Sequence, residues 1–128
     1  MYLDTDIILA LIKKDDWLRP FVELKRISEP KTSALAILEA TLVTEREYGR
    51  KDSSQIFDSI KKLGIDINDL TEETMEKSST LLKKYPDINI FDSVHAAFSI
   101  ILHEKILSTD NIFDKLEEIK RVDPRELK

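Results

Sequence analysis

The first twelve residues, Met1 to Ile12, are apolar except for one interruption, Asp4-Thr5-Asp6. Tyr2 and Leu3 favour an extended strand. Ile7, Ile8, Leu9, Leu11 and Ile12 are dense enough for a helix lying on a sheet. The stretch therefore reads as strand, acidic turn, helix. In an open α/β sheet, ligands bind in the crevice beyond the carboxyl ends of the strands, which puts Asp4 at the functional edge. Asp is also a favoured helix N-cap, so this stretch alone leaves cap and site both open for Asp4 and Asp6.

The same alternation continues along the chain. After a polar turn at 13–16, the pattern predicts a short helix over Trp17–Ile27 with Pro20 in its first turn, where proline is tolerated. Lys31-Thr-Ser33 is a minimal strand or a helix start. Ala34 to Tyr48 is a helix with Leu35, Leu38, Leu42 and Val43 as its apolar face, and Gly49 is its C-cap. Asp52 to Leu63 is amphipathic, with Ile56, Phe57, Ile60 and Leu63 inward, closed by Gly64. Ile65 to Ile67 alternates as a strand does. Thr71-Glu-Glu-Thr74 resembles a capping signal for a helix running to Lys84. Phe91 to His103 is an apolar, buried helix, with His103 at the surface. Ile106 to Thr109 is a strand ending at Asp110, a short helix spans Phe113 to Leu116, and Arg121 to Asp123 adds a last strand. Short strands alternating with longer helices imply a mostly parallel sheet. The expected fold class is α/β, a small α/β/α sandwich formed by one domain over residues 1–128.

Composition removes several function classes. Only two glycines occur, Gly49 and Gly64, so a P-loop, a dinucleotide fingerprint and a nucleophile elbow are excluded. Cysteine is absent, which excludes a disulfide framework, a thiolate zinc site and a cysteine nucleophile. The net charge of −5 speaks against generic nucleic-acid affinity, which needs a basic footprint, and leaves room for an acidic metal site. No signal peptide or membrane span is visible, and a cytoplasmic location fits.

Two acids stand where apolar residues belong. Glu39 lies a turn from Leu35 and Val43, and Asp92 opens the most apolar helix between Phe91 and Val94. Asp4 and Asp110 each follow a strand directly, so neighbouring strands would bring them together. Each has a bland alternative: Asp92 or Asp110 as an N-cap, Glu39 at a solvated helix edge. No matching cations lie on the same elements. Four unpaired carboxylates repel one another unless a divalent cation holds them, and all-oxygen ligands favour Mg²⁺ or Mn²⁺. His95, one turn after Asp92, either orients that carboxylate, touches phosphate, or simply packs. Lys13, Lys14, Arg46, Arg50 and Lys51 either contact a nucleic-acid backbone or line solvated helix faces.

Leu3-Asp4-Thr5-Asp6, Leu38-Glu39, Asn89-Ile-Phe-Asp92-Ser-Val-His95-Ala-Ala and Leu107-Ser-Thr109-Asp110 resemble the successive motifs of PIN-domain proteins, in order and over essentially the whole chain. Many prokaryotic members are VapC ribonuclease toxins of toxin–antitoxin pairs. The resemblance implies that Asp4, Glu39, Asp92 and Asp110 are metal-binding catalytic acids, that RNA is the substrate, and that a small antitoxin and a second copy of the chain are partners. Thr109 matches the hydroxyl residue preceding the last acid. Asp6 departs from the family's usual Asn or Ser and adds a negative charge. Trp17 and Phe21, large apolar residues in a charged segment, are candidate dimer contacts. The rival enzyme is a phosphatase resembling the haloacid dehalogenase family, with Asp4 as nucleophile and Asp110 with Asp114 as its late acids. The rival of another class is a catalytically silent module on the same fold.

Overall fold

The computed structural model describes residues 1–127. Five short strands form one sheet: β1 (Tyr2–Leu3), β2 (Lys31–Ser33), β3 (Asp66–Asn68), β4 (Ile106–Leu107) and β5 (Arg121–Val122), in the order β3-β2-β1-β4-β5. Every pairing is parallel, with Tyr2 between Lys31 and Ile106. Six helices surround it: α1 (Thr5–Ile12), α2 (Ala34–Tyr48), α3 (Arg50–Ser53), α4 (Ile56–Lys62), α5 (Glu72–Lys84) and α6 (Ile90–Ile101).

Strand side chains alternate between faces, and this divides the core in two. Leu3 and Leu107 face Ile7, Ile8, Ile37 and Ile60 of α1, α2 and α4. Tyr2 and Ile106 face Leu81 and Phe98 of α5 and α6, with the Tyr2 and Phe98 rings stacked at 5.7 Å. The α/β/α sandwich expected from the alternation is the fold observed. None of the described helices is long and apolar enough to cross a membrane.

Three local expectations change. Residues 17–27 do not form one helix but two 3₁₀ turns, Arg19–Phe21 and Leu24–Arg26. Leu18, Val22 and Ile27 are all buried in the same core. Nine helical residues at roughly 100° each would turn Ile27 to the side opposite Leu18, so the chain unwinds at Val22 and Glu23. The segment expected as one helix over 52–63 breaks into α3 and α4. It buries Ile56 and Ile60 and leaves Phe57 and Leu63 exposed.

The buried stripe of α2 is also rotated. Ala36, Ile37, Ala40 and Thr44 face inward, while Leu38 and Leu42 are 57% and 45% exposed. Both stripes have helical spacing, and alanine on the inner one lets α2 lie close to α1 and the sheet.

Candidate active site

Beyond the carboxyl end of the sheet lies a cleft of about 460 Å³, and Asp4, Glu39, Asp92 and Asp110 all line it. The strand order explains the meeting. The chain leaves β1 for β2 on one side and takes up β4 on the other. A crevice therefore opens between the ends of β1 and β4, where connections diverge. Asp4 follows β1, and Asp110 follows β4 after Ser108 and Thr109.

For two of these acids, capping and cleft lining coincide. Asp4 caps α1, its Oδ1 accepting from Thr5 N at 2.8 Å, and its Oδ2 accepts from Ser108 Oγ at 2.7 Å. Asp110 caps the 3₁₀ turn Asn111–Lys115 through Ile112 N at 3.0 Å. Asp92 is not a cap. Asn89 caps α6, its Oδ1 accepting from Asp92 N at 2.8 Å. Burial, and then the charges of Asp110 and Asp4, push the Asp92 carboxyl above its ordinary range.

Glu39 projects from the middle of α2 onto His95 of α6, with Oε1 2.6 Å from Nε2, and also accepts from Thr5 Oγ1 at 2.9 Å. The other ring nitrogen, Nδ1, lies 2.7 Å from Tyr2 OH, which lies 2.7 Å from Ser33 Oγ. Burial pushes the His95 pKa down, but the Glu39 bond and the charges of Asp4, Glu39 and Asp92 outweigh it, and the net direction is up. Burial pushes Glu39 up, and the bond and charge of His95 outweigh that, holding its carboxyl low. Both partners point to an imidazolium–carboxylate pair. With both ring nitrogens protonated the donors run one way, from Nδ1 to Tyr2 OH and from Tyr2 OH to Ser33 Oγ.

Asp6 also lines the cleft. Its Oδ2 accepts from Thr109 N at 2.9 Å and from Thr109 Oγ1 at 2.6 Å, whereas Oδ1 is buried with no hydrogen-bond partner. Burial, and then the Asp4 charge, raise the Asp6 pKa to about 6.

Asp114 is elsewhere, held by a two-pronged pair with Arg121 at 3.0 and 2.9 Å, so an accessory role for it is not supported. The basic residues Lys13, Lys14, Arg46 and Arg50 do not line the cleft either. Lys13 pairs with Glu47 at 2.8 Å and Arg50 pairs with Glu45. Lys13 and Lys14 border a larger depression of about 640 Å³ at the far end of α1, which contains none of the four acids.

The sequence reading missed Ser108, Tyr2, Thr5 and Asn89 as parts of the site. Ser108 carried a usable signal, a hydroxyl between a strand end and the last acid. Tyr2 carried none beyond strand propensity.

Among the described residues, no three acidic or histidine side chains are drawn together tightly enough to enclose a metal ion. The chemistry of the donors nevertheless suits a hard dication. They are all oxygens, one buried carboxylate oxygen has no partner, and burial followed by repulsion from Asp110 raises Asp92.

Residues 1–119 match the PIN domain family. That match displaces the dehalogenase-like phosphatase reading. No curated protein matches the chain. Among solved structures the chain is similar to VapC20 of Mycobacterium tuberculosis, described as a sarcin–ricin-loop-cleaving toxin. The two are 15% identical, with a TM-score of 0.74 over 89% of this chain and 92% of that one. It is also similar to a toxin–antitoxin complex from Klebsiella pneumoniae, at 16% identity and TM-score 0.73, covering 98% of each chain. FitAcB of Neisseria gonorrhoeae is 17% identical, with TM-score 0.76, covering 98% of this chain and 99% of that one. At these identities the likeness is one of fold.

Proposed function

The chain belongs to the PIN domain family, and from that premise we propose that it is a metal-dependent endoribonuclease of the VapC toxin type. The observation that carries this reading is the meeting of Asp4, Glu39, Asp92 and Asp110 in one cleft at the switch point of a parallel sheet. These four are the proposed ligands of Mg²⁺ or Mn²⁺. Held by these residues, such a cation would supply Lewis-acid polarisation of a phosphoryl oxygen and activation of water for phosphodiester hydrolysis.

The protein's own residues fix the ligands. Ser108 and the Thr5 amide hold Asp4, and His95 and Thr5 hold Glu39. Thr109 ties its turn to Asp6, which sets the backbone leading into Asp110. His95 acts as a positioning residue, locked from behind by Tyr2 and Ser33.

A small antitoxin and a second copy of the chain are the proposed partners. The described apolar surface supports this: Trp17 and Phe21 are 61% and 42% exposed, and Leu38, Leu42 and Phe57 are also exposed. Toxin–antitoxin complexes among the structures of similar fold agree with it.

The test is cleavage of RNA by wild type and Asp92→Asn, each with Mn²⁺, with Mg²⁺ and with EDTA. The variant keeps the shape of the side chain and removes a charge, so cleavage falls by orders of magnitude while the fold is retained. EDTA-resistant cleavage or full activity in Asp92→Asn rejects the mechanism. Metal binding without turnover identifies a silent module instead.

A further inference from the structure

Beside Asp92 the cleft has an apolar lip. Phe91 is 54% exposed and lines the cleft, and Ile90 next to it is 63% exposed. Five carboxylates line the same space, those of Asp4, Asp6, Glu39, Asp92 and Asp110, and no lysine or arginine does. The one cationic side chain of the lining, His95, is buried and taken up by Glu39. A nucleic-acid strand entering here therefore meets no free cation for its phosphates, and a grip from the protein itself has to fall on the bases. An exposed aromatic face is the group that takes a base regardless of its sequence.

Asn89 stands on the same lip. Its oxygen is identified by the bond it accepts from Asp92 N, because only the oxygen of an amide can accept. Nδ2 is thereby left as a donor without a partner among the described residues.

We infer that Phe91 and Asn89 hold an unpaired nucleobase next to the scissile phosphate, Phe91 by stacking and Asn89 Nδ2 by donating to the base edge. The site then takes single-stranded or looped RNA, because a duplex keeps its bases stacked inside the helix. This inference rests on the ribonuclease reading above.

The test compares Phe91→Ala, Phe91→Leu and Phe91→Trp in steady-state cleavage of a single-stranded RNA with Mn²⁺. Losing one base stack corresponds to roughly 5- to 150-fold in affinity. KM should rise by that order in the alanine and leucine variants and recover in the tryptophan variant. An unchanged KM in Phe91→Ala, or recovery by leucine, overturns the inference.

A second readout does not depend on turnover. Trp17 is the only tryptophan, so Phe91→Trp in a Trp17→Phe background carries a single reporter at the lip. Rapid mixing with single-stranded RNA should quench its fluorescence before cleavage, and an abasic sugar–phosphate oligomer of equal length should not. Equal quenching by both overturns base stacking. So does a Phe91→Ala variant that sediments as monomers where wild type is a dimer, without base-dependent quenching, since Phe91 is then a subunit contact. If wild type cleaves no RNA, the ribonuclease reading fails by itself, while the abasic comparison still decides what Phe91 binds.

Discussion

Asp6→Asn is expected to stabilise the metal-free protein, and to do so in a pH-dependent way. Folding raises the Asp6 pKa from 3.8 to about 6, chiefly through burial and then through the Asp4 charge. Because the folded-state pKa is the higher one, the unfolded chain releases this proton first. Stability is therefore full below pH 3.8 and is lost as pH rises through about 6. A shift of about two units corresponds to roughly 3 kcal/mol as an upper figure. Asparagine has no proton to lose and keeps an oxygen for Thr109.

The assay is urea unfolding of both proteins from pH 3.5 to 8 in EDTA, taking the difference between them so that titrating groups remote from Asp6 cancel. The advantage of the variant should grow by as much as about 3 kcal/mol across this range, and Mn²⁺ at pH 8 should narrow it by neutralising the wild-type cluster. Difference curves that stay flat with pH would refute the argument that burial, and then the Asp4 charge, disfavour a charged Asp6.

Two further outcomes follow from the geometry. Glu39→Gln breaks a pair whose carboxylate is held below 4.5 and whose imidazole is held above 6.5. The Glu39 contribution is lost as pH falls through its lowered pKa, and the His95 contribution is lost as pH rises through its raised one. The cost of the variant should therefore peak between those limits and shrink on both sides; a cost that grows steadily with pH would contradict the pairing. On α2, Leu38→Glu should change stability by no more than about 0.5 kcal/mol, whereas Ala40→Leu should cost roughly 1–3 kcal/mol by overpacking. Chemical denaturation of both variants checks which stripe faces the core.

The first twelve residues were legible because a two-residue strand and an eight-residue helix leave the acid between them only one edge to occupy. The parallel sheet was legible for the same reason, since each short strand is followed by a helix. The inner stripe of α2 was not. Periodicity gives the phase of a stripe within its own helix, and α2 has two: Leu35, Leu38, Leu42 and Val43, and Ala36, Ile37, Ala40 and Thr44. The choice between them was made by how closely α2 approaches α1 and the sheet, a property of the neighbours. Likewise, Trp17 to Ile27 reads as one helix because spacing alone does not say that Leu18, Val22 and Ile27 must all reach the same core. The pairing of His95 with Tyr2 spans 93 residues and leaves no local mark at either end.

The acids differ in what offsets their charge, and this separates structural from functional strain. Asp4 has Thr5 N and Ser108 Oγ, Glu39 has Thr5 Oγ1 and His95, and Asp110 has Ile112 N. Donors of this kind stabilise a carboxylate and let a fold carry it without a cation. For Asp92 the Asn89 backbone and the more weakly acting His95 charge do not offset burial and two neighbouring charges, and its pKa rises. Asp6 engages one oxygen and buries the other without a partner. The uncompensated negative charge of the cleft is therefore concentrated on Asp92 and Asp6. A dication entering there relieves both. For this reason Asp92→Asn tests chemistry with little structural loss, and the apo fold tolerates it better than any change at Ser108 or His95.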